Sequence, residues 1–254
     1  MRRTRSTTRR NWLDLPQDVL ILIFSKLGII EILSHAQFVC TFWQQVSRER
    51  QLFRSIYLPE EDPKFSSNGI AKILQEAVDR SCGELVEISI GDPWCKTKLL
   101  NYVVRKSKSL RVHRLTMFSG IYENGIMKAL KKLPLLEEFE LRGSVCDSCV
   151  LEELGRSCPR FKHLRLYDSS FPFKPYCKEL ELNIAKYLPR LQGLSFSQMW
   201  ISNTGLQAIL KGCTLLENLD FHQCRTSGLR EDLLKKCLDK FRNFQLPHRI
   251  RVRR

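Results

Sequence analysis

The chain reads as an α/β protein: a right-handed solenoid of parallel strands on one face and helices on the other, preceded by a small three-helix head. Three observations carry that reading. A spaced apolar pattern, L-x-x-L-x-L with L any large apolar residue, recurs seven times through the 254 residues. A stretch with helical apolar spacing precedes each recurrence. The first fifty residues lack this repeat and crowd apolar residues into three short helical segments.

The head comes first. Pro16 suits a first helical position, because its fixed φ matches a helix and its missing N–H would have no partner there. Asp14 and Asp18 place negative charge at that positive helix end. Val19, Leu20, Ile23, Phe24 and Leu27 form a wide apolar stripe, and Gly28 is expected to stop the helix. Ile32, Leu33 and Ala36 form a second group, and Val39, Phe42, Trp43 and Val46 a third. So much apolar surface on so short a segment exceeds what it can bury alone. Either a partner or the rest of the chain must cover it.

The ordered set Leu15-Pro16, Val19, Ile23, Leu27, Ile32-Leu33 and Val39-Cys40-x-x-Trp43 resembles the F-box, over about residues 12–53. Arg50 and Phe53 depart from the family, where many relatives have Pro and Trp. The resemblance implies a helical hook that docks on a Skp-type adaptor, and through it on a cullin. It assigns that docking to Leu15, Pro16, Val19, Ile23, Leu33, Val39 and Trp43, without separating docking residues from those that pack the hook.

The repeats follow. They run Leu85/Ile88/Ile90, Val112/Leu115/Met117, Leu136/Phe139/Leu141, Phe161/Leu164/Leu166, Leu191/Leu194/Phe196, Leu216/Leu219/Phe221 and Phe241/Phe244/Leu246. Their middle residues step by 27, 24, 25, 30, 25 and 25, within the leucine-rich-repeat range of 20–29 except at the longest step. Helices are expected over 70–80, 99–106, 126–132, 150–156, 180–187, 205–211 and 230–239. Phe53, Ile56 and Leu58 fit the same pattern, so an eighth strand would run directly out of the head with no flexible linker. The expected divisions are a basic disordered tail over 1–11, the F-box over 12–52, the solenoid over 53–247 and a second basic tail over 248–254.

Cys82, Cys158 and Cys213 each stand three residues before a strand unit, and Cys224 three after Phe221. This resembles the cysteine-containing class of leucine-rich repeat, in which Cys is a small buried residue at the turns. The combination resembles the F-box/leucine-rich-repeat proteins, most closely the plant ones. It implies a non-catalytic substrate receptor of a Skp–cullin–F-box ubiquitin ligase, whose repeats hold a protein for ubiquitination.

Alternation within each strand sends the residues flanking the middle apolar one to the concave face. In the middle units these include Arg114, Phe118, Arg142, Arg165 and Tyr167, residue types that dominate binding energy at interfaces. Arginine pairs bidentately with carboxylate and phosphate, so an acidic or phosphorylated target segment is the expected cargo. Residues 168–179 make the 30-residue step and carry Phe171, Phe173 and Tyr176, which either anchor a partner or fold over neighbouring helices.

Other function classes find little support. No phosphate loop, dinucleotide fingerprint or zinc-protease motif is present, so no catalytic residue and no cofactor is expected. Cys146, Cys149, Cys158 and His163 could be read as zinc ligands, but a single C-x-x-C is a weak signal, and no metal site is expected. The longest apolar run, six residues, is far short of the roughly twenty of a membrane span. Ten Cys without a signal peptide point to a reducing compartment, the cytoplasm or nucleus. The net charge of +15 includes five Arg within residues 1–10 and four within 249–254. These motivate the rival reading, a basic scaffold binding nucleic acid or protein without a ligase, although no nucleic-acid-reading motif supports it.

Overall fold

Alternating burial along the strands and one-sided burial along the helices set the architecture of the computed structural model, which describes residues 12, 15–58, 67–90, 97–116, 123–142, 147–168, 179–226, 228–242, 244 and 248–249. The head comprises α1 (Gln17–Phe24), α2 (Ile29–Ser34), a 3-10 turn at Ala36–Phe38, α3 (Thr41–Val46) and a second 3-10 turn at Arg50–Phe53. Pro16 stands one place earlier than expected, as the extended residue that caps α1 (φ −56°, ψ 148°). Gly28 does not end α1 either. Its φ of −76° makes it the extended cap of α2, while α1 closes through the turn at 25–27. Cys40 caps α3, its sulfur accepting the Trp43 N–H at 3.4 Å.

The solenoid alternates β1 (Ser55–Leu58), α4 (Ser67–Arg80), β2 (Glu87–Ile90), α5 (Thr97–Lys106), β3 (Val112–Thr116), α6 (Glu123–Leu130), β4 (Glu138–Arg142), α7 (Ser148–Ser157), β5 (His163–Tyr167), α8 (Leu180–Tyr187), β6 (Gly193–Ser197), α9 (Asn203–Gly212), β7 (Asn218–His222), β8 (Arg225–Thr226), α10 (Glu231–Lys240) and β9 (His248–Arg249). Strands β1 to β7 form one parallel sheet in sequence order. Each inward residue stacks on its counterpart one repeat away, as Leu164 does on Leu194 and Leu194 on Leu219. No repeat buries its apolar face alone; its neighbours do so. The strand expected from Ile56 and Leu58 exists: β1 pairs with β2, Ile56 opposite Ile88.

Two repeat assignments need correction. In β3 the register places His113 opposite Ile88 and Phe139, and Leu115 opposite Leu141. The unit is therefore Leu110/His113/Leu115, with Leu110 fully buried, and the apolar pattern sits two residues earlier than Val112/Leu115/Met117. A shift of two preserves the face, so Arg114 and Thr116 keep concave positions and Val112 joins them. At the far end, Phe241/Phe244/Leu246 does not extend the main sheet among the described residues. Phe241 caps α10, and Phe244 packs edge-on against Phe221 at 5.6 Å. The chain then pairs as β9 with β8 in a separate two-stranded ladder, within the segment expected to be tail.

Buried cysteines tie successive repeats together. The Cys158 thiol donates to Leu133 O (3.5 Å), Cys213 to Leu188 O (3.5 Å) and Cys224 to Phe196 O (3.2 Å). Each acceptor belongs to the preceding repeat. Cys82 differs: it is exposed, in the left-handed turn formed with Gly83 (φ +50° and +82°).

Candidate functional site

Two surfaces stand out, one on the helical head and one on the concave face of the sheet. On the head, Leu20, Phe24, Ile29, Ile30, Ile32 and Val46 are buried and hold the helices together. What remains outside is apolar to an unusual degree. Trp12 is 60% exposed, Leu22 61%, Phe38 71% and Val39 62%, with Val19 and Leu27 also exposed. Of the residues expected to dock, Pro16, Val19 and Val39 lie on the surface, and Leu15, Ile23 and Trp43 are half-buried. Leu33 is a correction. At 6% exposure it packs the hook's own core and offers no surface. Trp43 stands edge-on between Phe24 (5.3 Å) and Trp12 (6.3 Å), and its indole N–H meets no acceptor among the described residues.

Trp12, Leu22, Leu27 and Phe38 were not among the expected docking residues. Leu22 carried a usable signal. It lies two residues from both Leu20 and Phe24, hence on the opposite side of α1, where an apolar residue has no core to enter.

The head is fastened to the solenoid by Arg80, at the end of α4. Its guanidinium donates to Ser47 O (3.0 Å), to Gln37 Oε1 (2.8 Å) and to Glu76 Oε1 (2.8 Å), and stacks over Phe53 at 5.8 Å. A second link joins Arg50 to Glu84 at 2.9 Å.

The other surface is the concave sheet face. Three transverse rows cross it: Glu138, His163, Gly193 and Asn218; then Arg114, Glu140, Arg165, Ser195 and Asp220; then Thr116, Arg142, Tyr167, Ser197 and His222. By strand register Arg114, Arg142, Arg165 and Tyr167 occupy positions in these rows, while Phe118 lies outside the described residues. Arg142 and Arg165 do not stand alone. Arg142 Nε pairs with Glu140 at 2.6 Å and its guanidinium lies over the Tyr167 ring at 5.8 Å. Arg165 lies 3.8 Å from Glu138. The sequence reading missed these glutamates as counter-charges, although their alternation with the core residues places them on the same face. A groove of about 420 Å³ opens here over β6, lined by Glu138, His163, Arg165, Gly193, Ser195 and Asp220, among others. A Cβ at Gly193 would collide with the His163 ring, so only glycine lets that ring lie where it does.

A buried carboxylate on the helical side belongs to the scaffold. Glu153 in α7 accepts from Ser157 Oγ and from Arg156 Nη2 (2.7 Å). Burial pushes its carboxyl up, but these hydrogen bonds outweigh burial and hold it below its ordinary value. The thiols of Cys158 and Cys224 are pushed up to about 12 by burial. Among the described residues no cluster of His, Cys, Asp and Glu could hold a metal ion, and no helix is long and apolar enough to cross a membrane.

A family model described as F-box-like matches residues 12–59. Three proteins of Arabidopsis thaliana are similar over nearly the whole chain. F-box protein SKIP19 is 36% identical over 243 residues, covering 94% of this chain and 78% of that protein. F-box/LRR-repeat protein 9 is 34% identical over 232 residues, covering 89% and 93%. F-box/LRR-repeat protein 23 is 34% identical over 248 residues, covering 94% of this chain but 54% of that protein, so the chain spans about half of that relative. With its helical head, its seven-stranded parallel ladder and these relatives, the chain belongs to the F-box/leucine-rich-repeat family.

Proposed function

We propose that the chain is a non-catalytic substrate receptor: the head docks a Skp-type adaptor, and through it a cullin, while the concave face holds a protein for ubiquitin transfer. The observation that carries this is the set of apolar side chains the head leaves exposed: Leu22, Phe38 and Val39, with Val19 and Leu27. A segment that leaves several large apolar side chains in water, while a full core is buried beneath them, is built to be covered. Covering a Leu or Phe side chain contributes about 1.5–3 kcal/mol, so covering several of them supports a stable complex. The receptor itself performs no chemistry. It raises the effective concentration of target at the transfer site, and the Arg80 joint fixes the span between adaptor and target.

The test is co-purification with a Skp-type adaptor. Wild type should retain it, and Leu22→Asp with Phe38→Asp should lose it while keeping the same thermal melt. Retention by the double variant would place the adaptor elsewhere. A basic scaffold without a ligase would bind no adaptor in either form. An acidic or phosphorylated target, expected from the arginines, would have to draw Arg142 and Arg165 away from Glu140 and Glu138.

A further inference from the structure

We propose that the trough over β6 is a binding site for a lysine or arginine side chain carried on the target protein. This rests on the reading of the solenoid as the target-holding part, and it names what that part recognises. Along β6 the concave positions hold Gly193, beneath the His163 ring, and then Ser195 and Ser197. The flanking strands carry taller residues: His163, Arg165 and Tyr167 on β5, and Asn218, Asp220 and His222 on β7. A low strand between two high ones leaves the depression of about 420 Å³, a size that receives a side chain or small ligand.

Its charge decides the occupant. The charged groups lining it are Glu138, Arg165 and Asp220, with His163 beside them. The Arg165 guanidinium faces Glu138 at 3.8 Å. Asp220 accepts from the Ser195 hydroxyl at 3.2 Å, and no cation of the described residues lies within ion-pair distance of it. The lining therefore carries two carboxylates against one guanidinium, on a chain whose net charge is +15. An incoming carboxylate or phosphate would face both Asp220 and Glu138 and would compete for an arginine already engaged. An ammonium or guanidinium would find Asp220 satisfied only by a neutral hydroxyl. Half-buried on the β7 wall of the trough, that carboxylate is screened less than one on an open surface. The same sheet face runs on through Tyr167 and Arg142 on one side of the trough and Tyr57 at the far edge. That is an extended surface suited to a protein segment more than to a free cation.

The experiment selects from a displayed random-peptide library on the immobilised full chain, then measures the best peptide by fluorescence polarisation. Wild type should enrich peptides sharing a Lys or Arg at one fixed position. Asp220→Asn should weaken that peptide about tenfold, in line with removing one member of a shielded charge pair. Ser195→Phe, which fills the trough, should abolish binding, and Asp220→Lys should shift enrichment toward acidic peptides. All three should melt as wild type, because the positions face outward. The proposal is overturned by no enrichment, by enrichment of acidic peptides on wild type, or by Asp220→Asn and Ser195→Phe binding as wild type does. Adaptor capture is measured on the same preparation. Its loss sinks the receptor reading; adaptor capture without a cationic peptide preference sinks the trough alone.

Discussion

The cysteines show how far single residues can be read. Their spacing placed Cys158, Cys213 and Cys224 at repeat turns, and each thiol does donate a hydrogen bond to a carbonyl of the preceding repeat. Cys82 has the same spacing but is exposed, because its backbone enters the left-handed region and turns the side chain out; periodicity carries no information about φ. Alkylation at pH 8 followed by peptide mapping should label Cys82 quickly and leave Cys158, Cys213, Cys224 and Cys237 unreacted until the chain unfolds. Burial holds Cys158 and Cys224 near 12 and Cys213 and Cys237 near 11, far above that pH. Equal labelling of all five would contradict the packing. Glu153 makes a pH prediction. Its folded value lies below the ordinary 4.5, so its contribution is complete above 4.5 and drains away as pH falls through the lowered value. Glu153→Gln should flatten the acid limb of a plot of Tm against pH. An unchanged limb would mean that the carboxyl is not held as described.

At the scale of elements, helices were more legible than strands. Every expected helix from α4 to α10 overlaps the observed one, because 3.6-residue periodicity over two or three turns is hard to mimic. Strand β3 was displaced by two residues, since Val112, Leu115 and Met117 satisfied the pattern as well as Leu110, His113 and Leu115 and only pairing distinguishes them. The joint could not be read at all. Nothing local in the sequence shows that Arg80 reaches back to Ser47 and Gln37 across more than thirty residues. Arg80→Met keeps the aliphatic stem but leaves the Ser47 carbonyl and Gln37 amide without this donor. It should cost about 2–3 kcal/mol and speed limited proteolysis between residues 44 and 58. Unchanged cleavage there would mean that Arg80 is not the fastener.

Taken as a whole, the molecule is a one-dimensional stack, and its ends need protection. Helix α10 packs on α9, and Phe244 beyond it stands edge-on against Phe221 in the last strand of the main sheet. Truncation after residue 226 should therefore give a chain that aggregates on size exclusion, whereas a monomeric truncation would show that the cap is dispensable. The two-part plan, helical head and repeated ladder, was legible because it is written in periodicity and composition. The fine division of each surface was not: Leu33 turned inward, Leu22 and Phe38 turned outward, Arg142 turned onto Glu140 of its own strand and Arg165 onto Glu138 of the adjacent one. The central claim is that the bare face of the head is the adaptor's seat. Hydrogen exchange on the full chain with and without a Skp-type adaptor addresses it directly. The account predicts slowed exchange across α1 and the 38–39 turn, with the concave strands unchanged. Slowing confined to the strands, or no complex at all, would contradict it.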